Sequence, residues 1–311
     1  MLFLIGLYVL ANFGERQQTP RILTLIAGGM LSGFVVLLPA LVAAVRPAFK
    51  NDAAFRAAEE VVLITAVAGA LALLYLLPPV QRAVAHVLPL RPGSPVTYLT
   101  VVLGLIFLGQ QLGSQLAVNV LDVLKNSPPL TVSSLLFQDI PLLALAFYGV
   151  GLFVRRSPRE TFQRLGLTPP ARGRWWLIAI AAIPVFILVA FAIERLAIVV
   201  TPATQKQVND VSTALFSRFN NPAAIVFLGL LAGIVEEILF RGALVPRLGI
   251  VVTALLFAAL HTQYGITFAS LEVFVLGVAL GWLRTRAGTL PCIVTHAGYD
   301  IAVGLIPLFL K

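Results

Sequence analysis

A chain of 311 residues with 59% hydrophobic and 11% charged side chains, and a mean hydropathy of +0.97, carries more apolar surface than one soluble core can hide. This excludes an ordinary water-soluble globular protein and defines a polytopic membrane protein. The formal net charge of +9 reads as basic loops facing an anionic cytoplasmic leaflet, so no nucleic-acid partner is expected. A single cysteine, Cys292, excludes an internal disulfide and any CxxC redox or metal site.

The chain opens with MLFLIGLYVLANF, which lacks the positive n-region and cleavage site of a signal peptide and is short for a full span. Apolar runs follow at 22–45, 61–80, 97–120, 134–154, 175–200, 223–245, 250–262, 267–284 and 290–308. The expected fold is an all-α, polytopic transmembrane helix bundle with nine spans, or ten if residues 1–13 also cross. The 250–262 run is short for an independent crossing, which predicts either an earlier start, near Val245, or a tilted or broken helix buried by its neighbours.

The largest interruption is 155–174, which carries Arg155, Arg156, Arg159, Arg164, Arg172 and Arg174. The positive-inside rule makes this loop cytoplasmic. Alternation puts Arg16, Arg21, Arg82, Arg91, Arg284 and Arg286 on its side and Arg46, Lys50, Arg56, Lys125, Lys206 and Arg218 on the other. The loop divides the chain into an N-terminal membrane half, 1–154, a basic cytoplasmic loop, 155–174, and a C-terminal membrane half, 175–311. Glycines four apart, Gly109 with Gly113, Gly229 with Gly233 and Gly277 with Gly281, mark helix faces that can approach closely in lipid. Asp139, Glu194 and Glu272 fall nearer span ends, where a carboxylate reaches headgroups or water, and receive no chemistry.

Glu236, Glu237 and Arg241 interrupt an apolar run long enough to cross a bilayer. Each ionised side chain there costs at least about 2.5–3.5 kcal/mol, which makes the cluster a functional-site hypothesis. Residues four apart share a helix face, so Glu237 and Arg241 pair and Glu236 faces elsewhere. Phe257 and His261 have the same spacing on the next segment, as do His296 and Asp300 on the last. At about 1.5 Å per residue from the loop-side ends, Glu236, His261 and His296 lie roughly 14, 16 and 9 Å deep, close to one level. With water admitted from the cytoplasmic side, they would surround one small polar volume. No GxSxG serine or cysteine–histidine arrangement offers a covalent nucleophile. The inventory suits a water activated by Glu236 and one histidine, with the other histidine holding the oxyanion. Glu236, His261 and His296 would equally serve as ligands of a catalytic Zn²⁺, so the metal-free and metal-dependent schemes both stand.

These residues resemble a known family. The sequence EEILFRG at 236–242 is similar to the EExxxR motif of the CPBP intramembrane proteases, also called the CAAX protease and bacteriocin-processing or Abi family. FAALH at 257–261 resembles its FxxxH motif, HAGYD at 296–300 its HxxxN motif, and RLGL at 164–167 is typical of the preceding loop. The resemblance covers about 175–311 and implies a helical membrane endopeptidase with a site inside the bilayer. On that basis Glu236 and His261 activate water, His296 and the residue at 300 stabilise the oxyanion, and Glu237 and Arg241 hold the site in shape. Position 300 departs from the pattern: Asp300 replaces asparagine, and an ionised aspartate cannot donate a hydrogen bond. The expected function is an intramembrane endopeptidase in the bacterial cytoplasmic membrane, cutting a membrane-associated protein or peptide near the cytoplasmic interface. The alternatives from other classes are a proton-coupled membrane transporter with the same residues as a relay and a catalytically inactive scaffold.

Overall fold

A computed structural model describes residues 1–49 and 52–309; Lys50 and the last two residues of the 175–311 segment lie outside these. The helices are α1 (Leu2–Gly14), α2 (Gln18–Val45), α3 (Ala53–Leu74), α4 (Pro78–Ala85), α5 (Pro95–Ala117), α6 (Val120–Lys125), α7 (Val132–Gly149), α8 (Pro158–Leu165), α9 (Arg174–Val200), α10 (Pro202–Leu215), α11 (Pro222–Glu237), α12 (Val245–Leu260), α13 (Phe268–Ala287) and α14 (Thr289–Phe309). No β-strand forms among the described residues. Lipid offers no hydrogen bonds to the backbone, and helices satisfy it internally. Several starts are set by side chains that accept otherwise unpaired N–H groups: Ser94 on α5, Thr131 on α7, Ser157 on α8, Asn221 on α11 and Thr267 on α13.

By length and composition, eight helical stretches among the described residues can cross a membrane, against the nine expected. The difference lies in Pro222–Leu260, a single run of 39 residues in which α11, a π-helical segment (Ile238–Leu244) and α12 follow without a break. It is not one straight rod. The Phe240 and Phe257 ring centroids are 5.0 Å apart, whereas 17 residues of straight helix would separate them by roughly 25 Å. The chain folds back at Gly249, where φ is 79° and ψ is 175°, a conformation open essentially to glycine alone. The 223–245 and 250–262 runs are therefore the two arms of one hairpin. The second arm is short because it needs only to return to the level of Glu236, where His261 follows its last residue.

The chain divides into two compact units, Gly6–Val120 and Leu121–Lys311, the latter joined by Met1–Ile5. The boundary between the two falls at the start of α6. In the first unit a Cβ on Gly109 would meet Ala68, and one on Gly113 would meet the Val61 backbone at 3.0 Å, so α5 lies tightly along α3. The other two glycine pairs work within the second unit. Side chains at Gly229 and Gly233 would collide with Ile301 and Ala297 of α14, and at Gly281 with Ile250 of α12.

The basic stretch is structured at its centre. Ser157 and Glu160 form a capping box at the start of α8, and Gly166, at φ 70°, ends the helix. Thr289 at the start of α14 donates from its hydroxyl to Leu165 O (2.5 Å) and from its N–H to Gly166 O (2.9 Å). Arg164 Nη1 donates to Gly242 O at 3.0 Å. Burial, followed by the like charges of Arg247, Arg156, Arg284 and Arg155, pushes the Arg164 pKa down to about 9, still protonated at neutral pH. The RLGL stretch is thus the anchor that ties this face to the end of the acidic helix and the start of α14.

Gly249→Ala forces a Cβ into the glycine-only region and is expected to cost about 1–3 kcal/mol. Thermal unfolding of the purified variant in detergent should show a lowered midpoint; an unchanged midpoint would contradict the hairpin geometry.

Candidate active site

The close approach of α11 to α14 at Gly229 and Gly233 brings the two acids at the end of α11 beside His296. Glu237 is fully buried. Its Oε1 lies 2.8 Å from His296 Nδ1 and 2.7 Å from Arg241 Nη1, the latter an ion pair without hydrogen-bond alignment. Arg241, 1% exposed, also donates from Nη2 to Gly277 O (3.4 Å), and its guanidinium lies 4.3 Å from the Phe257 ring centre. Its own carbonyl accepts from Arg284 Nε at 3.0 Å.

Glu236 points to the other side of its helix. Its Oε2 is 3.9 Å from Nε2 of both His261 and His296 and has no hydrogen-bond partner. His261 follows the last residue of α12. Its Nδ1 is 2.8 Å from Phe257 O, which can only accept, so Nδ1 carries the hydrogen and Nε2 faces Glu236. His296 Nε2 also lies 3.5 Å from Asp300 Oδ2. A protonated His296 therefore finds a carboxylate for each ring N–H. All six residues selected from the sequence, Glu236, Glu237, Arg241, His261, His296 and Asp300, gather in one region.

A cavity of about 460 Å³ adjoins them, lined by His261, His296 and Asp300 among others. Glu236 is not in its lining and sits behind the two rings. The cavity does not extend toward the basic-loop side, where access was expected. The cavity takes residues from Phe186 onward on α9, from His296 onward on α14, and no further than Leu280 on α13, all toward the helix ends remote from the 155–174 stretch. At the site end its walls are buried, with Leu280 at 2% and Phe186 at 7% exposure; at the remote end Phe191 reaches 51% and Ile306 39%. The loop side is closed because Leu165, Gly166 and Arg164 are bonded across it.

Some contacts of the site were not evident in the sequence. Phe257 touches every motif: its ring packs against Phe240, His261 and His296 at centroid distances of 5.0, 4.7 and 5.9 Å, besides receiving Arg241. Tyr264 stacks parallel to His261 at 6.1 Å. Glu272 and Glu194 line the cavity, and Glu272 accepts from the Tyr299 hydroxyl at 2.8 Å, so neither is merely a headgroup-facing acid. Asp139, expected near a span end, is buried within α7. Spacing along one helix carries no information on partners from another.

A tetrahedral Zn²⁺ with bonds of about 2.0–2.1 Å brings its donor atoms to roughly 3.3–3.4 Å of one another. The donors here are wider apart at 3.9 Å, and among the described residues no group of three or more His, Cys, Asp or Glu has the geometry to hold a metal ion. The donor set as it stands does not fit that ion.

Fold and site together define an integral membrane protein of bundled helices with a buried glutamate–histidine cluster at the closed end of a cavity. Residues 218–302 match the family described as type II CAAX prenyl endopeptidase Rce1-like. The chain thus carries an Rce1-like domain of the CAAX protease (CPBP) family in its C-terminal part. It is also 29% identical over 142 residues to the uncharacterized protein YpbD of Bacillus subtilis (strain 168), covering 46% of this chain and 69% of that protein. No solved structure matches.

Arg241→Ala leaves Glu237 buried without its guanidinium, a change expected to cost about 3–5 kcal/mol. The measurement is the yield of monodisperse protein after detergent extraction; wild-type yield and thermal stability would show that the ion pair is dispensable.

Proposed function

We propose that this protein is an intramembrane endopeptidase that hydrolyses a peptide bond of a membrane-associated protein or peptide with an activated water. The observation that carries the reading is the position of Glu236 Oε2, 3.9 Å from the Nε2 atoms of His261 and His296, the two histidines that line the buried end of a cavity. A water lodged against this oxygen gives a proton to Glu236 as its own oxygen bonds to the scissile carbonyl carbon. His261 Nε2 accepts from the same water, its tautomer set by the Phe257 carbonyl. His296, oriented by Glu237, offers an Nε2–H to the developing oxyanion. Collapse of the tetrahedral intermediate breaks the C–N bond, and the proton held by Glu236 passes to the leaving amine.

In this scheme Asp300 does not meet the oxyanion. At 3.5 Å from His296 Nε2 it favours the protonated ring, a task for which an acceptor suffices. Glu237 and Arg241 are positioning residues. We assign the proteolytic domain to 175–311, with 155–174 as a cytoplasmic loop, 1–154 without an assigned role, and the whole in a bacterial cytoplasmic membrane. The family description names prenyl endopeptidases; nothing in this chain selects a prenylated substrate, and the proposal stays with membrane-associated peptides. The match of residues 218–302 to a family described as endopeptidases favours hydrolysis over transport.

Glu236→Gln keeps the shape but cannot take a proton. Cleavage of a reporter peptide in detergent should fall by at least about 10²-fold with the thermal midpoint preserved, consistent with loss of a general base; undiminished turnover would remove Glu236 from the mechanism. Because no step here requires a metal, incubation with a strong chelator followed by desalting should leave turnover unchanged. Loss of activity restored by added Zn²⁺ would replace this scheme with the metal-dependent one.

A further inference from the structure

The cavity has one open end, and a polar stripe lies along it. Helix α10 follows α9 at the end remote from the 155–174 stretch, and Gln205, Asn209 and Ser212 all line the cavity. Their spacing, i, i+4 and i+7, is that of one helix face. The opposite face is anchored: Val211 and Leu215 pack with Leu121, and Leu215 O accepts from Leu130 N at 2.8 Å. Gln205 Nε2 donates to Asn209 Oδ1 at 2.9 Å, which leaves the Asn209 amide hydrogens available to a peptide carbonyl. Across the opening stand exposed apolar side chains, Phe191 of α9 and Val303 and Ile306 of α14. The mouth is therefore amphipathic, with amide and hydroxyl groups beside Val208 on the α10 wall and mainly hydrocarbon, with Glu194, across from it.

We infer that the substrate peptide enters from the face opposite the 155–174 stretch, its backbone meeting Asn209 and Ser212 and its apolar side lying against Phe191, Val303 and Ile306. The inference rests on the proteolytic reading and deepens it. With the basic stretch cytoplasmic, the substrate is a membrane-anchored peptide whose cleavable segment projects on the non-cytoplasmic face. An extended peptide descending from this mouth reaches His296 after about 15 Å, the rise of α14 between Ile306 and His296, or roughly five residues of extended chain. The cleaved bond should accordingly lie about five residues inside the membrane boundary of the substrate.

The full-length protein in proteoliposomes tests this in two ways. Arg159→Cys, reacted with a membrane-impermeant maleimide, reports the side of the basic stretch, and the buried Cys292 gives no background. Val303→Cys, inside the cavity, should react with the reagent only from the opposite side. Reaction from the Arg159 side, or from neither side, overturns the inference whether or not any peptide is cleaved. In detergent, Asn209→Leu should raise KM for a reporter peptide about fivefold with kcat unchanged, the effect of losing one peptide hydrogen bond; an unchanged KM removes α10 from the substrate path. If wild-type protein cleaves no peptide while Val303→Cys labels as stated, the entry face stands as the mouth of a ligand cavity and the proteolytic reading falls.

Discussion

The Glu237 carboxylate is the point on which the site depends. It is fully buried, and one of its oxygens holds both the Arg241 guanidinium and the His296 ring. Through Arg241 the same carboxylate reaches Gly277 of α13 and Phe257 of α12. Four segments distant in sequence thus meet at one charge. A buried pair of this kind is weak evidence of stability, since its desolvation offsets most of its attraction. Its effect is on specificity: an alternative packing of these helices would leave a charge alone in a medium that cannot solvate it.

Close helix approach makes that contact available. A side chain at Gly229 or Gly233 would hold α11 away from Ala297 and Ile301, and Glu237 could then no longer reach His296. Gly277 and Gly281 do the same between α12 and α13, where the Gly277 carbonyl becomes an acceptor for Arg241. In lipid, apolar side chains gain little by leaving their surroundings, so helix association relies on such contacts and on the polar bonds they permit. The glycines and the ion pair are two parts of one device.

The π-helical turn that follows the two acids continues the argument. Ile238–Leu244 carries Arg241 and leads to the Gly249 reversal, so the arm bearing Phe257 and His261 runs back alongside the acids. Irregular backbone at membrane depth is tolerated where it is buried in protein. The Gly242 and Arg241 carbonyls of this turn accept from Arg164 and Arg284. These arginines, counted in the sequence as markers of a cytoplasmic face, also satisfy backbone oxygens and close that face of the site.

Periodicity and composition alone determined the helical membrane architecture and the three packing stripes at glycine pairs, and residue type and spacing within segments singled out the six candidate site residues, because each rests on what a single segment carries. Charges at Glu236, Glu237 and Arg241 inside an apolar run are costly wherever the helix packs, so their importance is visible without a partner. Only the tertiary structure decided that 223–245 and 250–262 are arms of one hairpin, that Phe257 is the platform shared by all the motifs, and that Asp139 is buried. It also decided the direction of the cavity. Positive charge in the 155–174 stretch predicted a solvated entrance, but Arg164 and Thr289 hydrogen-bond across that side, and the cavity extends the other way, past Asp300. A one-dimensional pattern records what each helix carries; which of its ends is blocked depends on neighbours that the pattern does not contain.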